Sequence, residues 1–143
     1  MFKKILSVVM VVVLCCSLGL TTNAQSVSKS ETSNDSSVQP RYSYTSSIST
    51  TLTNSSGKAT CGTVVKGYSG TTTKIKVTMT LQKKTLLWWS EAETWTTTVN
   101  DYYLSFYKTV SVNSGKYRVK ADIVVYSGSA SESITHYSSE KEF

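Results

Sequence analysis

Proline, histidine and cysteine are nearly missing from this chain: 1 Pro, 1 His and 3 Cys in 143 residues. Charge is also scarce, at 17%, where ordinary globular chains carry about a quarter. Each shortage excludes something. A coiled coil needs charged flanking positions, a zinc ribbon needs four ligands, and a disulfide scaffold needs paired cysteines. With a lone His136 there is little for general acid–base chemistry to use, so no enzyme is expected. Hydroxyl groups fill the gap. The chain has 25 Ser and 21 Thr, a composition that suits a small polar β-protein. The length allows one domain and no second sizeable core.

Residues 1–24 read as a cleavable signal peptide. Lys3 and Lys4 form its basic start, the apolar run spans residues 5–20, and Thr22-Asn23-Ala24 supplies a small-x-small cleavage site before Gln25. The run is too short, and too interrupted by Ser7, Ser17 and Gly19, for a transmembrane anchor of roughly 20 apolar residues. Cys15 and Cys16 lack the small residue that lipidation usually requires before the cysteine, and they read as apolar members of the run. Export would therefore leave Cys61 alone, without a disulfide partner, as a buried hydrophobe. The expected location is secreted, with no integral membrane span after cleavage. No sorting motif follows Phe143, so covalent anchoring is not expected.

Residues 25–40 (QSVSKSETSNDSSVQP) read as a Ser-rich disordered linker, because Val27 and Val38 are its only apolar side chains. Without Lys3 and Lys4, 13 of the 15 basic residues remain beside all 9 acids. The positive charge is spread out, with Lys83-Lys84 the only adjacent pair. This does not form the stripe that nucleic acid binding uses. A spread positive charge serves solubility first, and otherwise favours anionic cell-envelope polymers or membrane surfaces.

Residues 41–143 read as one β-sandwich domain of about seven antiparallel strands. The expected strands cover residues 42–53, 58–67, 72–83, 90–99, 102–112, 116–126 and 130–137. Turns are expected at Asn54-Ser55-Ser56-Gly57, Tyr68-Ser69-Gly70, Asn100-Asp101, Asn113-Ser114-Gly115 and Ser127-Gly128-Ser129. The third strand alternates most strictly, with Ile75, Val77, Met79 and Leu81 on one face and Lys74, Lys76, Thr78, Thr80 and Gln82 on the other. No stretch carries a sustained helical period.

The segment Gly115-Lys116-Tyr117-Arg118-Val119-Lys120-Ala121 resembles the sixth strand of immunoglobulin-like and fibronectin-III-like domains. The resemblance implies that Tyr117 bonds back to the chain upstream. Val119 stands where antibody-type domains carry a Cys. The segments RYSYTSSISTTLT (41–53), GYSGTTTKIKVTMTLQKK (67–84), WTTTVN (95–100), SGKYRVKA (114–121) and VYSGSASESITHYSS (125–139) are similar to uncharacterised small secreted proteins of Gram-positive bacteria. That likeness implies a Thr/Ser-rich β-domain and brings no activity with it.

No catalytic, metal or cofactor constellation is recognisable. Glu91 and Glu93 sit side by side rather than opposed, as a glycosidase pair would be. There is no Gly-rich phosphate loop and no cluster of metal ligands. The distinctive feature is a crowd of aromatics between residues 84 and 107. Trp89, Glu91, Glu93 and Trp95 share one parity, which would set flat rings beside carboxylates if it faced outward. A bulge between Glu93 and Trp95 would let Trp95 turn into the core. Trp88, Trp89, Glu91, Glu93, Tyr102 and Tyr103 are therefore the candidate contact residues. Tyr68 and Tyr126 join them from two Tyr-Ser-Gly turns expected at one pole. The expected function is a non-catalytic module that contacts glycan, cell envelope or a protein partner. Self-assembly through strand edges and a small antibacterial effector are the alternatives.

Overall fold

The computed structural model describes residues 41–143. The signal peptide read at 1–24 and the linker read at 25–40 lie outside the described residues. The described chain is all-β, with eight strands: β1 (Thr45–Ser55), β2 (Lys58–Gly67), β3 (Lys74–Lys84), β4 (Trp89–Val99), β5 (Tyr103–Ser111), β6 (Lys116–Ser127), β7 (Ala130–Tyr137) and β8 (Lys141–Glu142). The eighth is one more than the sequence suggested. It is only two residues long, too short to show a period, and it pairs with the start of β6.

The strands form two antiparallel sheets. One has the order β1-β2-β5, and the other β4-β3-β6-β7 with β8 beside β6. Alternation explains how they meet. Ile75, Val77, Met79 and Leu81 of β3 pair with Val125, Ile123, Ala121 and Val119 of β6, so one face of the larger sheet is continuously apolar. Leu52, Ala59, Cys61, Val65 and Leu104 of the smaller sheet join them in a single core. Burying each large apolar side chain contributes about 1.5–3 kcal/mol, and this core has no disulfide to assist it.

The expected first strand shifts by several residues. A register irregularity between Thr45 and Ser47 resets the parity, so Thr45 is buried while Tyr42 and Tyr44 pack against the core from outside the strand. Asn54 and Ser55, expected in the turn, instead pair with Ala59 and Lys58. The turn contracts to Ser56-Gly57, with φ of 50° and 73°. Two positive φ values give the tight hairpin whose twist matches the strands. The bond implied for Tyr117 is present: its hydroxyl donates to the Asn113 carbonyl at 2.9 Å.

Cys61 is fully buried, and burial pushes its thiol up to about 12 from an ordinary 9.0. The native protein is expected to resist a thiol reagent that labels the unfolded chain at once. The folded state holds this proton longer than the unfolded one, so the linked stability is complete below pH 9 and is lost as pH rises toward 12. Cys61→Ala should flatten the alkaline limb of stability against pH. An unchanged limb, or rapid native labelling, contradicts the assignment.

Candidate functional site

The β3–β4 hairpin is closed by Thr85. Its amide and hydroxyl both donate to the Trp88 carbonyl at 2.8 Å, and the Trp88 amide donates to the Thr85 hydroxyl at 3.1 Å. Leu86 and Leu87 form the two-residue tip. They are 95% and 79% exposed, and Trp88 is 63% exposed.

The expected row of Trp89, Glu91, Glu93 and Trp95 does not share one face. Leu81 pairs with Glu93 while the next residue, Gln82, pairs with Glu91, so Ala92 is an extra residue bulged out of β4. The bulge lies between Glu91 and Glu93, not between Glu93 and Trp95. Trp95 therefore follows the inward parity of Met79 and packs against the core half-buried. Glu93 takes the same parity at the exposed sheet edge. Trp89 and Glu91 take the opposite parity and reach the outer face of the larger sheet, beside Lys84 and Gln82.

A cluster stands on that outer face. The Arg118 guanidinium lies 4.2 Å from the centre of the Trp89 ring and 4.4 Å from that of Tyr137. It bridges β4 and β7 across the sheet. Its Nε donates to Gln82 Oε1 at 2.9 Å, which fixes its plane. Lys84 approaches Trp89 from the hairpin, with Nζ 5.3 Å from the ring centre. Cation–π contacts of this kind order both partners. Gln82 is buried beneath them although it lies on the polar parity of β3.

The neighbouring charge is already neutralised. Lys120 Nζ lies 2.8 Å from Asp122, and Thr135 donates to the same carboxylate at 2.7 Å. Burial opposes ionisation of Asp122, but the bonds from Lys120 and Thr135 outweigh it and hold the carboxyl below its usual range. The bond to Asp122 in turn raises Lys120. Among the described residues, Lys83, Lys84 and Arg118 have no carboxylate within 4.0 Å. Among the described residues, the hairpin pole thus carries three cations without an ion-pair partner.

The eight candidate residues divide between the two poles. Trp88, Trp89, Glu91 and Glu93 belong to the hairpin pole. Tyr102 and Tyr103 lie past the far end of β4, an 11-residue strand, which puts them about 33 Å away along the sheet. Tyr68 is beside them: the Gly67 amide donates to the Tyr102 carbonyl at 2.7 Å, and Lys66 pairs with Tyr103. Tyr126 reaches the same pole, where its carbonyl accepts from the Thr73 amide at 2.8 Å and its ring lies under Lys74. The expectation that the two Tyr-Ser-Gly exits share a pole is met. One continuous site made from all eight residues is not formed.

Sequence reading missed Arg118, Tyr137, Gln82 and Lys84. Strand alternation puts Arg118 on the wet face of β6, but nothing in one dimension says that Trp89 and Tyr137 flank it. No known protein family matches the chain, and no curated protein is significantly similar to it.

Proposed function

We propose that this protein is a secreted, non-catalytic β-sandwich module that contacts an anionic glycan polymer of the cell envelope through the outer face at its hairpin pole. The Trp89–Arg118–Tyr137 stack carries this reading. Sugars present apolar C–H faces and hydroxyl rims. Aromatic rings suit the first, while Arg118 and the exposed Glu91 suit the second. Unpaired Lys84 and Arg118 favour a polymer with negative charge.

We also propose that the fold is immunoglobulin-like, of the fibronectin-III-like kind. The Tyr117 bond to Asn113 and the placement of β1, β2 and β5 in one sheet support it. The fourth strand pairs with the third here, whereas in antibody constant domains it joins the first sheet. Membership among the small secreted proteins of Gram-positive bacteria is part of the same proposal.

Edge-to-edge assembly has less support. The outer strand β4 carries a bulge at Ala92 between Glu91 and Glu93, and bulges and charges both obstruct strand addition. The test of the binding reading is a titration with an anionic polysaccharide, comparing the wild type with Arg118 variants. Saturable binding that depends on Arg118 supports it, and no binding by the wild type refutes it.

A further inference from the structure

We propose that the β3–β4 hairpin tip inserts into the surface of a bilayer that carries anionic lipids. Two-residue hairpin loops are normally built from Asn, Asp or Gly, which accept positive φ. Leu86-Leu87 supplies none of that turn chemistry. Among the described residues, Ser56 is the one non-glycine with positive φ, so both leucines sit at negative φ. Neither belongs to the core or packs against it. Folding therefore gives no reason for two leucines at this exposed hairpin tip.

The tip is held rather than loose. The Thr85 hydroxyl both donates to and accepts from Trp88 backbone groups, and this clamps the loop with its leucines outward. Side chains then follow in the depth order of a bilayer. Leu86 and Leu87 come first, at hydrocarbon depth. Trp88 and Trp89 follow, as aromatics do at the membrane interface. Lys84 stands level with its cross-strand partner Trp89, and Lys83 and Arg118 follow one and two residues further back, within reach of anionic headgroups. These three cations lack carboxylate partners among the described residues. Nearby Glu140 and Glu142 are engaged by Lys116 at 3.5 and 3.6 Å. Glu91 and Glu93, exposed on β4, are the acids left on this side. Two lysines without carboxylate partners at the base of an apolar tip favour a lipid surface over a protein groove, because protein interfaces are depleted in lysine.

This inference goes beyond polymer contact: both readings use Trp89, Lys84 and Arg118, but only this one needs Leu86, Leu87 and Trp88, so the double-leucine variant separates them. Among the described residues, 41–143, the strands β1–β8 close around a single core. That part is therefore tested alone, free of the apolar run at 5–20, which would bind lipid by itself. The probe is phosphatidylcholine vesicles with and without roughly 30% phosphatidylglycerol, assayed by co-sedimentation and tryptophan fluorescence.

The wild type should bind the anionic vesicles with a blue shift that Trp88→Phe reduces. Leu86→Ser with Leu87→Ser should weaken binding about tenfold or more. Lys83→Gln with Lys84→Gln should weaken it roughly tenfold on anionic vesicles and little on neutral ones. These side chains lie outside the core, and unchanged thermal unfolding of each variant verifies that the fold is kept. Failure of the wild type to bind anionic vesicles overturns the proposal, whether or not the tip binds a protein instead. Equal binding by the double-leucine variant also overturns it.

Discussion

Glu132→Ala is expected to lower the stability of the folded domain by about 3 kcal/mol, a fall of roughly 12–24 °C in Tm. The reason is local. Glu132 stands in β7 opposite Val125, near the point where the chain enters β1. Its carboxylate accepts from the Ser43 amide at 2.8 Å, the Tyr44 amide at 3.0 Å and the Thr45 hydroxyl at 2.6 Å. A hydrogen bond to a charged group contributes about 1.5–3 kcal/mol, and the three do not simply add. The bond to Ser43 is exposed and counts least. Truncation also strands the hydroxyl of Thr45, which is buried, and frees Tyr42 and Tyr44 from their seats on the core. Glu132→Gln keeps one acceptor oxygen and should lose roughly half as much. Denaturant unfolding of both variants provides the measurement. A loss below about 1 kcal/mol for Glu132→Ala would mean that the start of β1 is held by other contacts.

Arg118→Lys should impair polymer binding nearly as much as Arg118→Ala, each by about tenfold or more. Lysine keeps the charge, so a purely electrostatic contact would tolerate it. The geometry asks for more. The guanidinium carbon lies over both the Trp89 and the Tyr137 rings while its Nε bonds Gln82. An ammonium is a compact point charge and cannot contact both rings and Gln82 as a planar guanidinium does. Losing the planar group leaves Trp89 and Tyr137 free to reorient. It also leaves the buried Gln82 oxygen without its donor. Isothermal titration against one anionic polysaccharide separates the cases. Wild-type affinity in Arg118→Lys would show that charge alone binds and that the stack is incidental.

Much of the fold was legible in one dimension because the strands are two-sided. The alternation of β3 and β6 named Ile75, Val77, Met79, Leu81, Tyr117, Val119, Ala121, Ile123 and Val125, and all are buried. The Tyr117 bond followed from a seven-residue resemblance. What escaped was anything requiring a second strand as reference. A bulge has no signature when its partner is unknown, so Trp89 and Trp95 looked like neighbours on one face although Ala92 sends them to opposite faces. The aromatic crowd between 84 and 107 looked like one site because sequence distance ignores the length of β4. Arg118 went unnoticed because its partners come from strands on either side. The bond between Glu132 and Thr45 joins residues 87 apart, and only the closed sandwich brings them together.

The hairpin pole is the proposed contact surface. Amide chemical-shift mapping of residues 41–143 during titration with an anionic envelope polysaccharide tests it most directly. Shifts should cluster at residues 83–91, at 118–120 and at 137. Shifts centred instead on Tyr68, Tyr102, Tyr103 and Tyr126 would place binding at the opposite pole and contradict it.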